Sequence, residues 1–266
     1  MRLTASCLFL LPLLALAADS GPRAAAPAEL ALLNDTLLRT AAAYPRWAYT
    51  EHRVIRDEKG KVKSDLLLRY DPSLPYAQQW TPLKVNGKEP SERDRAKYRA
   101  LGERAAPPDA AKPAPPTKEN IRRQVSLGEL LDVPRSSIAG ETETHFLFEI
   151  PLRKFANERF PPEKFEVLAR VRKEGALLEN IAVRLRESFR SKLVVKVKSG
   201  GGAMDFATID PKHAPALVGL AGDASASFLF VSVGGSVKLE RTEVKRVKPF
   251  DERFEVQIGT LKAIDF

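Results

Sequence analysis

Hydrophobic positions along this chain change period several times, and each change marks an element. In "PAELALLNDTLLRTAAAY", Leu30, Leu33, Leu37 and Ala41 recur at helical spacing, which predicts one amphipathic helix. Pro45 forces an exit, because the residue before a proline is pushed out of helical geometry. "RWAYTEHRVIRDEKGKVKSDLLLRYDP" then reads as a strand, a Lys59-Gly60 turn and a second strand closing at Asp71-Pro72. "QQWTPLKV" is a third strand, which Pro82 confines to a sheet edge or a bulge.

Asn86-Gly87 follows, normally a strong hairpin signal, yet no alternating strand comes after it. Pro90-Ser91 with an acid at Asp94 is instead a helix-start pattern, so the turn leads into a short helix from Glu92 to Leu101. The basic residues of that helix form no single stripe and read as a solvated face. "ERAAPPDAAKPAPPTKEN" is Pro/Ala-rich without apolar periodicity, an extended loop at about 104–118. The segment before it has too few strands to bury both faces of its own sheet, so the loop interrupts one domain rather than dividing two.

Beyond the loop, period two takes over. "ETHFLFEI" puts Phe146, Phe148 and Ile150 on one side, and "EKFEVLARVRKEG" puts Phe165, Val167, Ala169 and Val171 there, opposite Arg170 and Arg172. "ENIAVRLRES" sets Ile181, Val183 and Leu185 against Arg184 and Arg186, and "SKLVVKVKSGGG" sets Leu193, Val195 and Val197 against Lys192, Lys196 and Lys198. Such alternation marks antiparallel strands with one dry and one wet face, here a three-strand meander. "AMDFATID" comes next, then "APALVGLAG", which admits a short helix, and "ASFLFVSVGGSVKLERTEVKRV", where Gly234-Gly235 is a natural bend. "ERFEVQIGTL" offers a last strand. The fold class expected is α+β: a curved, largely antiparallel sheet, an unclosed half-barrel, with one or two helices packed on its concave face.

The first residues, "MRLTASCLFLLPLLALAADS", alter the setting. One charge, an apolar run and Ala15-Leu16-Ala17 make a secretory signal peptide at 1–17, with the single domain spanning 18–266. Cleavage removes Cys7, the only cysteine, so the mature chain has no thiol for a disulfide, a metal or a nucleophile. It removes only Arg2 among the charged residues, taking the net charge from +9 to +8. A basic exported protein meets anionic headgroups or acidic polymers, and nucleic acid is not expected as a partner. The expected location is the periplasm, either soluble or peripherally membrane-associated.

Chemistry is thin. His52, His145 and His213 are isolated, with neither HxH nor HExxH, and no nucleophile elbow, SxxK pair or phosphate-binding glycine spacing occurs. No catalytic residue, metal ligand or cofactor is therefore assigned. The wet face does ask for a partner: Arg170, Arg172, Arg184, Arg186, Lys192, Lys196 and Lys198 align if the strands pair as a meander, and could dock an anionic membrane. Trp47, Tyr49, Trp80, Phe146 and Phe148, with Phe165, Phe228 and Phe230, are first of all a core. The first five become ligand contacts if the sheet leaves a lipid-sized groove. The alternative is a structural or interaction module of the envelope with a packed interior. A third reading is a hydrolase whose residues meet only in space.

The order of signal peptide, amphipathic helix, "WAYTEHRVIRDEKGKVKSDLLLRYDP" and a longer antiparallel meander resembles the periplasmic lipoprotein-carrier fold of the LolA/LppX type. "WTPLKVNGKEPSERDRAKYR" is similar to a segment that recurs in exported bacterial proteins. The carrier resemblance implies an unclosed antiparallel sheet wrapped around helices, binding acyl chains in its concave apolar face without catalysis. The Pro/Ala insertion stands outside that pattern.

Overall fold

The structure is a computed structural model that describes residues 22–106, 127–154, 161–191, 195–228 and 231–253. The signal segment, most of the Pro/Ala loop, Lys192, Phe230 and the last expected strand lie outside the described residues, as does the side chain of Phe228. In chain order the elements are β1 (Arg23–Ala24), α1 (Pro27–Ala43), β2 (Trp47–Asp57), β3 (Val62–Tyr70), β4 (Trp80–Val85), α2 (Glu92–Ala105) and α3 (Leu127–Leu130). There follow β5 (Ser137–Glu141), β6 (His145–Glu149), β7 (Phe165–Arg172), β8 (Leu177–Leu185), β9 (Phe189–Ser191), β10 (Val195–Ala207), β11 (Ala216–Phe228) and β12 (Val231–Arg246).

These strands form one 12-stranded sheet in the order β1-β5-β6-β7-β8-β10-β11-β12-β2-β3-β4, with β9 paired to β10 beside that path. Every pairing is antiparallel and β1 does not meet β4, so the sheet is unclosed. The expected α+β class with a largely antiparallel open sheet is the class observed.

Helix α1 starts with Pro27 in its first turn and Glu29 reaching back to the Ala26 N–H, a carboxylate beside the helix's positive end. Its buried side is Leu33, Thr36, Thr40 and Ala43, so the burial stripe drifts off the line drawn through Leu37 and Ala41. Thr36 and Thr40 are tolerated inside because each hydroxyl donates to the carbonyl four residues back. Leu33 enters a core with Leu131, Ile138, Phe148, Ile150, Val167, Ala169, Val171, Leu178 and Ile181.

Asn86-Gly87 is a tight turn with both residues at positive φ, 51° and 76°, and Val85 exchanges backbone hydrogen bonds with Lys88 across it. The hairpin stops after that one pair. Ser91 then caps α2 by accepting from the Asp94 N–H while Asp94 accepts from the Ser91 N–H. The helix runs to Ala105, beyond the expected Leu101 and through the first residues assigned to the loop. Pro82 sits at a bulge of the edge strand β4, as its missing N–H requires.

One element differs in kind. "APALVGLAG" is not helical; it opens β11, hydrogen-bonded to β10 on one side and β12 on the other. Gly219 and Gly222 weaken any helix there, and the ladder to β10, joined from Gly219 onward by the ladder to β12, takes up the backbone groups instead.

Candidate functional site

Directly opposed residues of an antiparallel sheet share a face, so the register traces that face strand by strand. One row runs Ile181, Met204, Leu220, Leu239, Arg53, Leu66 across β8, β10, β11, β12, β2 and β3. The next runs Val183, Gly202, Gly222, Val237, Ile55, Ser64. This is the face that carries Val167 and Ile181 and receives Leu33 of α1, and it is called the inner face below.

Where α1 passes into β2, the inner face holds a buried ion pair. Arg241 on β12 lies directly opposite Glu51 on β2, and its Nε and Nη2 donate to Glu51 Oε2 at 3.2 and 3.1 Å. The two side chains are only 6% and 4% exposed. The guanidinium stacks 3.8 Å from the Tyr49 ring centroid, and its Nη2 also donates to the Tyr44 hydroxyl at 3.1 Å. Burial works against the arginine's charge, but Tyr49, Tyr44 and Glu51 outweigh it and raise the pKa of Arg241. Burial likewise pushes the Tyr49 phenol far up. Arg53 adds a second cation, its Nε 3.4 Å from Glu51 Oε1. The Arg241–Glu51 pair is thus a buried ionic contact on a largely apolar face. The sequence names Trp47 and Tyr49 as core aromatics on a strand but carries no signal for Arg241, which is 190 residues from Glu51 in sequence.

The five aromatics expected to line a groove separate into two groups. Trp47 and Tyr49 pack with Ala216, Tyr70 and Val244, and Tyr70 stacks on Trp80 at 4.3 Å. Phe148, with Phe146 against it, belongs instead to the core beneath α1. Trp47, Tyr49 and Phe148 are 3%, 2% and 0% exposed, so they are core side chains as the structure stands.

Uncovered apolar surface lies further along the same face. Ile55 is 40% exposed, and a shallow groove of about 400 Å³ is lined by Ile55, Val237, Ala224 and the glycines Gly201, Gly222, Gly234 and Gly235, together with Arg56, Asp223 and Ser236. Glycine is needed here for close strand approach: a Cβ on Gly202 would stand 2.9 Å from the Ala221 carbonyl oxygen, and one on Gly222 3.0 Å from that of Gly201.

The opposite face carries part of the expected cationic row, while Lys198 falls at a β-bulge between Val197 and Ser199. Arg170, Arg184 and Lys196 all fall on it by register. Each arginine there meets a glutamate: Arg170 and Arg172 meet Glu179 at 3.2 and 3.7 Å, Arg184 meets Glu166, and Arg186 meets Glu149. Glu179 owes its position to a β-bulge between Arg170 and Val171, a feature period two does not reveal. Lys196 and Lys198 are exposed, and Lys192 lies outside the described residues.

Each histidine has a carboxylate neighbour: His52 meets Asp65 at 2.8 Å, His145 meets Glu179 at 3.1 Å and His213 meets Asp210 at 3.6 Å. His145 also contacts the Thr144 hydroxyl at 2.8 Å, but its glutamate is already shared with two arginines. Among the described residues no cluster of three His, Cys, Asp or Glu is arranged to hold a metal, and no helix is long and apolar enough to cross a membrane. Comparison with protein-family models, with curated proteins and with solved structures gives no match, so geometry alone carries the functional reading.

Proposed function

We propose that this chain is an exported, non-catalytic binding protein of the bacterial envelope that holds a lipid or lipidated partner in an apolar groove. In this reading the sheet curves around α1, which lies on its concave side, and the ligand occupies the inner face beyond the helix. The observation that supports it is the apolar groove at Ile55 and Val237, on the same face whose β5–β8 end packs against Leu33 of α1. Glycines and alanines at its floor let an acyl chain approach the backbone closely, and dispersion over such a surface needs no directional partner. In this reading Phe146 and Phe148 become ligand contacts only when α1 lifts, whereas Trp47, Tyr49 and Trp80 stay packed around Tyr70 in a separate cluster. On the opposite face Arg170, Arg172, Arg184 and Arg186 each meet a glutamate, so in this reading that face is a solvated exterior and the ligand is held on the inner one.

A second reading, an interaction module with a packed interior and no small ligand, is favoured by the burial of Trp47, Tyr49 and Phe148. Native mass spectrometry of the mature chain purified from its own envelope, with lipid extraction, separates the two. The expected result is a co-purifying acyl species that Ile55→Glu removes without unfolding the protein. A clean apo mass in the unsubstituted chain overturns the groove reading and leaves the packed module.

A further inference from the structure

Four regions outside the groove could carry chemistry: the His145–Glu179 cluster, the cleft beside Pro162, the Arg241–Glu51 knot and a cleft at the C-terminal end of α1. The fourth is the most one-sided in charge. It has a volume of about 580 Å³ and lies between α1, the β7–β8 turn, the β10–β11 loop and the end of β12. Arg39, Arg46, Lys212, His213 and Arg246 line it, and among the described residues no Asp or Glu does.

The cations are placed rather than merely numerous. Arg39 Nη2 donates to the Ala176 carbonyl at 2.9 Å and its Nε meets Asp35 at 2.7 Å. Arg46 meets Glu252 at 2.5 Å, and His213 meets Asp210 at 3.6 Å. These acids hold their partners from outside the cleft wall. Lys212 and Arg246 have no carboxylate partner among the described residues; Arg246 rests near the Trp47 ring, 5.8 Å from its centroid. Two uncompensated cations with two tethered arginines suit a multivalent oxyanion, for which guanidinium forks are well matched.

Leu38, which is 61% exposed, stands one helical turn before Ala42 on the face of α1 that enters the cleft. An exposed apolar side chain at the rim of a cationic cleft fits the boundary between headgroups and acyl chains.

We infer that this cleft takes the phosphate of an anionic lipid headgroup, with Leu38 entering the bilayer beside it. The inference deepens the binding-protein reading, on which it rests only for the envelope setting, and it moves membrane contact away from the Arg170–Lys198 face. It is tested by co-sedimenting the purified full chain with vesicles of phosphatidylcholine mixed with phosphatidylglycerol, and with pure phosphatidylcholine. The anionic vesicles should be preferred. Lys212→Gln should lower their binding roughly fivefold and Lys212→Gln with Arg246→Gln roughly 25-fold, from the contribution expected of each surface cation. Leu38→Ser should weaken binding too, while Lys196→Gln, the same charge change on the opposite face, leaves it within about twofold.

Equal losses for the cleft and Lys196 variants overturn the inference, as does indifference to both. Inorganic phosphate is titrated in parallel by calorimetry: saturable binding lost in Lys212→Gln, with no preference for anionic vesicles, overturns the lipid assignment. Far-ultraviolet circular dichroism of each variant excludes unfolding as the cause. A chain that carries an acyl ligand but ignores anionic vesicles fails here alone, and one that binds vesicles with a clean apo mass fails only the groove reading.

Discussion

The ion pair of Glu51 and Arg241 allows a sharp test of how this sheet is held. Replacing Glu51 by Gln keeps the shape but removes the negative charge that faces a guanidinium only 6% exposed. At 3.1 Å and an effective dielectric near 20, the attraction lost is roughly 5 kcal/mol before relaxation, and measured losses for one partner of a buried pair run about 3–5 kcal/mol. The Tyr49 stack, worth about 2 kcal/mol when desolvated, stays in place and moderates the loss. Expected destabilisation is therefore about 3 kcal/mol, read as a fall in urea midpoint with unchanged slope. Glu51→Leu with Arg241→Met should recover to within about 1 kcal/mol of the parent, since removing both charges removes both desolvation penalties. A loss under about 1 kcal/mol for Glu51→Gln, or a double variant as weak as the single, would refute the reasoning.

Two further outcomes are expected. Gly102 on α2 lies where a Cβ would overlap the backbone carbonyl of Tyr76, which cannot swing aside, so Gly102→Ala should destabilise by about 1–3 kcal/mol despite the better helix former; a rise in urea midpoint contradicts that packing. Glu141 and Glu29 have pKa values depressed below the ordinary 4.5, Glu141 chiefly by Lys173 and then Arg23, and Glu29 chiefly by Arg23. Their contribution is fully present above 4.5 and is lost as pH falls through the depressed folded values, so between about pH 5 and pH 3 the parent should lose more stability than Glu141→Gln with Glu29→Gln. Identical acid slopes for parent and variant would remove these carboxylates from the account.

Sequence alone was enough for the local elements whose signal is local. The α1 helix itself, the Ser91 cap, the edge role forced on β4 by Pro82 and the alternation of β6, β7 and β8 all reappear, because each depends on residues within a few positions of one another. Such features also named the dry face of the sheet, including Phe148, Val167 and Ile181. Tertiary pairing decided the rest. The stretch from Ala216 joined the sheet because β10 and β12 flank it, a condition no short window contains. Arg241 met Glu51, and Glu179 met Arg170 and Arg172, only once register and a bulge were fixed. The cationic stripe was legible by period, whereas its matching glutamates were not, since a strand pattern reports which face a residue takes but not what stands opposite. The cleft of Arg39, Arg46, Lys212 and Arg246 is the extreme case: four cations from a helix, a short turn, a loop and a distant strand share one wall only because the fold closes there.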